Sequence, residues 1–257
     1  VDAGPRGSRF YGESVKKLKK SVAVLNKQEG LSFVVHLGDA IDRDDKSFDA
    51  VMPEFARLKK PCYQVLGNHD FDVAEADKEK VPGRLGLTKR YHDFAVGQLR
   101  FVVLDGTDLS VYRDGDVGEA RKVLASLQAE GRAYAQSWNG GLGKEQLAWF
   151  ENVLKRAGQA KEEVIVFCHY PVYPDNAHNL WTSVEVLGLI KKHGGVRAWF
   201  NGHNHAGNYG QTAGTHFLTA RGMVETKETS AWAVVAVYPD RLEVDGFDRE
   251  EDRVLRL

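Results

Sequence analysis

The chain has 257 residues, 42% hydrophobic and 28% charged, a globular composition that excludes wholesale disorder and suffices for one large domain or two small ones. Lys and Arg number 35 against 36 Asp and Glu, a formal charge of -1; this argues against a broad nucleic-acid footprint but leaves room for a locally positive site that takes a small phosphorylated ligand. No apolar run approaches the roughly 20 residues of a membrane span, and residues 1–7 read as neither a signal peptide nor an anchor.

In chain order, Val15, Leu18, Val22 and Leu25, with lysines between them, predict a helix over 13–27. Residues 31–37 form an apolar strand ending in Gly38-Asp39. A second helix is expected over 48–60, then a buried strand over 62–66 ending in Gly67-Asn68. Residues 91–96 and 99–105 read as a hairpin turning at Gly97-Gln98. The stretch 108–141 is polar and irregular around a helical centre at 117–127, and reads as an insertion over one face. Residues 144–157 form an amphipathic helix with Leu147, Phe150, Val153 and Leu154 inward. A buried strand over 164–168 ends at His169, a loop carries Pro171 and Pro174, and a helix spans 183–192. The strand 196–200 runs into Asn201-Gly202-His203, and strands near 216–219, 231–238 and 241–247 finish the chain. Strand-helix units first and antiparallel hairpins last imply one α/β domain built as a layered sandwich. The two cysteines, Cys62 and Cys168, lie in apolar, strand-like runs. They read as buried free thiols, which fits a reducing, cytoplasmic setting.

Four strand ends carry ligand-type residues: Gly38-Asp39-Ala40-Ile41-Asp42, Gly67-Asn68-His69-Asp70, Cys168-His169-Tyr170-Pro171 and Gly202-His203-Asn204-His205. Each cluster taken alone has an ordinary explanation as a turn, a cap or a core histidine. Four of them at strand ends, which border the ligand crevice in open α/β sheets, point instead to a shared metal site. Imidazoles, carboxylates and an amide carbonyl suit Mn, Fe or Zn better than a soft thiolate set would.

The order Gly-Asp-x-x-Asp, Gly-Asn-His-Asp, His, Gly-His-x-His resembles the calcineurin-like metallophosphoesterases. Three further stretches resemble the manganese-dependent ADP-ribose/CDP-alcohol diphosphatases within that superfamily. They are the run from Asn139-Gly140-Gly141 to Trp149, His169-Tyr170-Pro171-Val172-Tyr173-Pro174-Asp175, and Gly222-Met223-Val224-Glu225-Thr226; Val237-Tyr238-Pro239-Asp240 also fits. The resemblance implies a four-layer αββα sandwich of two mixed sheets and two divalent metal ions, Mn first and Fe or Zn as alternatives. It implies that Asp39 bridges the ions, that Asn68, His169 and His203 complete the second, and that His205 serves the first. His69 would face the scissile phosphate, with Asp70 orienting it, and Asp42 would fix the turn. Phe71, Trp181 and Tyr209 adjoin the motifs and are the candidates for stacking on a base, although core or surface packing is the simpler explanation for each. His36, His92, His193 and His216 read as structural.

The implied activity is hydrolysis of the phosphoanhydride of nucleoside diphosphate-linked compounds by attack of a metal-bound hydroxide. The expected partner is therefore a small phosphorylated or nucleotide substrate, with no nucleic acid and no membrane. The alternatives are a general phosphodiesterase or phosphomonoesterase of the same superfamily, or a non-catalytic binding protein with a degenerate first metal site. The family's first motif, Asp-x-His or Asp-x-Gln at the end of a strand, has no counterpart in the chain, because Asp2 is followed two positions later by Gly4. The expectation is that such a strand precedes Val1.

Overall fold

The computed structural model describes residues 9–257, so Asp2, Gly4 and the expected first-motif strand lie outside the described residues. A 3-10 turn (Tyr11–Glu13) leads into helix α1 (Ser14–Leu25), whose Val22 is buried. Strand β1 (Val34–His36) and strand β2 (Cys62–Gln64) flank helix α2 (Ser47–Phe55) and pair in parallel. A short helix α3 (Val81–Arg84) precedes the hairpin β3 (His92–Val96) and β4 (Leu99–Val103). Helix α4 (Gly118–Ala129) lies in the excursion after β4. Then come α5 (Lys144–Ala160), β5 (Glu163–Phe167), α6 (Ser183–His193), β6 (Val196–Asn201), β7 (Asn208–Thr212), β8 (Thr215–Thr219), β9 (Ala231–Val237), β10 (Arg241–Asp248) and β11 (Arg253–Arg256).

A six-stranded sheet of order β3-β4-β5-β6-β8-β7 is parallel through β4-β5-β6-β8 and antiparallel at both edges. Side chains alternate across a strand, so consecutive residues feed different cores. Val102, Val164, Val166 and Trp199 meet Phe150, Val153 and Leu154 of α5 and Val186 and Ile190 of α6. Phe101, Val103, Ile165, Phe167 and Phe200 face the other way, onto Val65 beside β2 and Leu242, Val244 and Leu255 of the antiparallel sheet β11-β10-β9. Helix α2 packs on a third core with Ile41, Phe48, Leu66 and Phe71. The result is the αββα arrangement of two facing sheet layers with helices outside.

Several elements differ from the sequence expectation. Helix α2 ends at Phe55 rather than residue 60, because Asn26 reaches across from the end of α1. Its amide donates to the Arg57 carbonyl at 2.8 Å and its side-chain oxygen accepts from the Lys59 N–H at 2.8 Å. Strand β1 keeps three residues of the expected seven. They are half-buried rather than interior, and among the described residues β1 pairs with β2 alone. Strands β7 and β11 lack a sequence signal, since Asn208–Thr212 is polar and Arg253–Arg256 buries Leu255 alone. The excursion after β4 is closed by a bridge between Leu109 and Gly141, each N–H donating to the other's carbonyl at 2.9 Å. That closure carries Asn139 back towards the sheet. Among the described residues no helix is long and apolar enough to cross a membrane.

Candidate metal centre

The chain leaves β1, β2, β5 and β6 at the same end of the two sheets, and each exit places one of the clusters: Asp39, Asn68, His169 and His203. Asp39 and His203 take left-handed backbone conformations, φ 56° and 65°. Such conformations are costly for residues other than glycine and persist where the surroundings over-determine them. For Asp39 the surroundings are explicit. The fully buried Asp70 carboxylate accepts the N–H groups of Asp39 (3.2 Å), Ala40 (2.8 Å) and Gly67 (2.9 Å), with Ile41 at 3.4 Å. Asp39 in turn accepts the His69 N–H at 2.9 Å. Gly67 is required here, because a Cβ at that position would overlap the Asp39 carboxylate and backbone nitrogen.

Asp39, His169 and His203 bring one ligand atom each within 4.8 Å of one another. His169 Nε2 lies 3.2 Å from Asp39 Oδ2, 3.3 Å from Asn68 Oδ1 and 3.2 Å from His203 Nδ1. The far nitrogens of both rings are already committed. His169 Nδ1 donates to the Leu37 carbonyl at 2.7 Å, and His203 Nε2 donates to Asn139 Oδ1 at 2.8 Å. With both rings neutral, four lone-pair atoms therefore converge on one another with no proton between them. A cation resolves that repulsion, and the mixed nitrogen and oxygen donors suit Mn, Fe or Zn. Without one, a proton on His169 is the local substitute: burial lowers its pKa, but the Asp39 carboxylate, the Leu37 carbonyl and Asp70 together outweigh burial and raise it. His203 does not share that role, since burial and the neighbouring His169 hold its pKa well below the usual value. Burial would raise the Asp39 carboxyl, yet His169, His69 and His203 together hold it well below the usual carboxylate range.

His205 stands beside this group rather than within it, its Nδ1 2.6 Å from Glu225 Oε1. His69 is partly exposed, and its Nδ1 lies 3.1 Å from the Asp42 carbonyl and 3.8 Å from the Asp42 carboxylate. The orienting partner of His69 is thus Asp42. Asp70, expected in that role, points the other way in the 3-10 turn His69–Phe71 and buttresses the turns at Asp39 and Gly67 instead. The stacking candidates also need correction. Phe71 is 1% exposed in the core under α2, and Trp181 is 2% exposed beside Ala120 and Tyr134, its indole N–H donating to the Gln136 carbonyl. Neither offers a face to a ligand. Tyr209 is 37% exposed on the edge strand β7, but its hydroxyl is paired with His216.

His36, His92, His193 and His216 lie outside the cluster, against Phe55, Tyr63, Glu151 and the Arg256 carbonyl respectively. Cys62 and Cys168 are free, Cys168 buried and Cys62 half-buried. Sequence reasoning assigned no role to Asn139 or Glu225, although both lie in stretches it singled out. The signal was a polar residue beside glycines: Asn139-Gly140-Gly141 and Gly222-Met223-Val224-Glu225. Tyr170 was also missed; its buried ring packs edge-on against both His169 and His203 at 4.9 and 4.6 Å.

Comparison with known proteins agrees with this geometry. The family model described as calcineurin-like phosphoesterase matches residues 12–207. A manganese-dependent ADP-ribose/CDP-alcohol diphosphatase from Oryza sativa subsp. japonica is 33% identical over 95% of this chain and 85% of its own length. The protein of the same name from Homo sapiens is 28% identical over 96% of this chain and 85% of its own length. The crystal structure of a dimetal phosphatase from Danio rerio superposes with a TM-score of 0.84 at 26% identity, covering 96% of this chain and 90% of the other. Since the family match takes in every ligand cluster from Asp39 to His205, the chain belongs to the calcineurin-like phosphoesterases, in their group of manganese-dependent ADP-ribose/CDP-alcohol diphosphatases.

Proposed function

We propose that this protein is a divalent-metal-dependent diphosphatase that hydrolyses nucleoside diphosphate-linked compounds of the ADP-ribose or CDP-alcohol type. The observation that carries the reading is the convergence of potential ligand atoms from Asp39, Asn68, His169 and His203. The substrate class rests on the names of relatives that match nearly the whole chain. Asp39, Asn68, His169, His203 and His205 are the residues that would hold two ions, with Asp39 shared. When bound, such ions supply Lewis-acid polarisation of phosphoryl oxygens and an activated water at neutral pH.

The chain's own groups do the rest. His69 donates its Nδ1–H to the Asp42 carbonyl, so that the imidazolium form, which also carries a proton on Nε2, would donate that second proton to the oxygen leaving phosphorus and end as the neutral ring. Asp70 keeps Asp39 in its strained conformation, and Leu37 and Asn139 keep the two central imidazoles facing one another. Hydrolysis of the phosphoanhydride adds water across one P–O bond and yields two phosphomonoesters. With Phe71 and Trp181 in cores, base recognition falls to other groups. A cytoplasmic setting is the location that the two free thiols support.

The test is turnover of the Mn-loaded protein on ADP-ribose, CDP-choline, cyclic AMP and p-nitrophenyl phosphate. Cleavage of the two diphosphates well ahead of the other substrates is expected, and Asp39→Asn should lose both metal and turnover while remaining folded. Equal rates across the panel would mean a general phosphoesterase. Bound metal without any turnover would mean a binding protein.

A further inference from the structure

His205 differs from the other histidines of the centre in how its far nitrogen is held. His169 and His203 donate to neutral oxygens, those of Leu37 and Asn139. His205 Nδ1 faces a carboxylate, Glu225 Oε1, at 2.6 Å. The carboxylate is itself held: Arg9 Nε donates to the same oxygen at 3.0 Å, and Arg9 also donates to the Tyr11 hydroxyl at 3.2 Å. The segment carrying Glu225 is tied down on both sides. The Phe10 N–H donates to the Val224 carbonyl at 2.7 Å. Lys17, 2% exposed on α1, donates its ammonium to the Met223 carbonyl and to the Thr226 carbonyl, the latter at 2.9 Å. The Gly222 N–H donates to the His205 carbonyl at 3.1 Å, and a Cβ on Gly222 would strike the His205 ring.

We infer that Glu225 is the positioning residue for His205, and that Arg9 and Lys17 make it part of a clamp joining the start of the described chain to the metal centre. A neutral imidazole has two tautomers. A carboxylate acceptor at Nδ1 requires the proton there and leaves the Nε2 lone pair free for a cation. The close approach of Gly222 fixes the plane of the ring, and Arg9 prevents the carboxylate from turning to water. The segment 222–226 therefore acts on metal binding without touching the metal, through one ring. This inference rests on the metal-dependent reading above, and it concerns affinity for the ion rather than any step of hydrolysis.

The experiment reads the ring and the ion separately. In the metal-free protein labelled with ¹⁵N-histidine, His205 should appear as the Nδ1–H tautomer, and in Glu225→Ala that preference should be lost. Titration of Mn²⁺ into the wild type by calorimetry should show the bound ions, and Glu225→Ala should weaken one class of site about 10–100-fold, the usual effect of losing such a partner. Glu225→Gln keeps an acceptor oxygen at the same position and should recover most of that loss. It also serves as the measurement if the alanine variant does not fold. A wild-type Nε2–H tautomer, or Mn²⁺ affinity in Glu225→Ala equal to wild type, overturns the inference. No Mn²⁺ bound by the wild type would instead overturn the metal-dependent reading, and the tautomer would still decide the role of Glu225.

Discussion

Replacing Asp70 separates two roles that the sequence makes look alike. If the carboxylate orients His69, its loss should damage turnover and leave the fold intact. The structure places its oxygens elsewhere, on the N–H groups of Asp39, Ala40 and Gly67 at 3.2, 2.8 and 2.9 Å, in a fully buried position. Asp70→Ala therefore strands three donors, that of Gly67 buried and those of Asp39 and Ala40 partly buried. At about 1–3 kcal/mol each the simple sum is about 3–9 kcal/mol, and water entering the vacated space brings the expected loss towards the lower half, about 3–5 kcal/mol. That is a large part of the roughly 5–15 kcal/mol by which folded domains are stable. Asp70→Asn keeps the shape but turns an amide N–H₂ towards one pair of donors, so it should cost about half as much. Urea unfolding followed by tryptophan fluorescence measures both, and Mn²⁺ titration should show weakened binding, because the left-handed turn at Asp39 loses its support. An alanine variant within 1 kcal/mol of wild type (the smallest single-donor cost), with normal Mn²⁺ affinity and collapsed turnover, would refute this and return Asp70 to His69.

Asn139→Ala removes the acceptor on His203 Nε2 and should lower Mn²⁺ affinity about 10–100-fold; unchanged affinity in a calorimetric titration would mean that His203 needs no such anchor. Phe71→Ala should cost about 3–5 kcal/mol as a core truncation and leave KM for a nucleotide substrate unchanged, whereas a raised KM at full stability would restore its stacking role. Asp105 offers a pH test. Burial raises its pKa from 3.8 to about 6, against the hydrogen bonds from Thr107. The folded state therefore keeps a proton that the unfolded chain has already released, so the stability this group contributes is present below pH ~4 and lost as pH rises through about 6. Asp105→Asn should gain on wild type across that window, levelling at up to about 3 kcal/mol. Urea midpoints of both proteins at pH 4 and pH 7.5 give the difference, and a gap that does not widen with pH would show that Asp105 is ionised in the fold.

The amino-acid sequence by itself determined most of the strands, though not β7 or β11, the longer helices and the four ligand clusters. Each depends on local chemistry: apolar runs such as 164–168, a 3.6-residue period such as Leu147, Phe150, Val153 and Leu154, and glycine-bearing turns that end a strand. Partners were another matter. The family resemblance implied Asp70 for His69, and adjacency to a motif suggested Phe71 for a substrate base, but neighbouring residues in a tight turn diverge, and the fold paired His69 with Asp42 and buried Phe71 under α2. The groups that orient His203 and His205, Asn139 and Glu225, come from separate segments and carry no periodic signal. The excursion after β4 had to close at Leu109 and Gly141, and the segment 222–226 had to dock on Lys17, before either side chain could reach an imidazole. Hydrogen-bond partners across such distances are set by which loops the two packed sheets bring together, a property of the whole core and of no single stretch of chain.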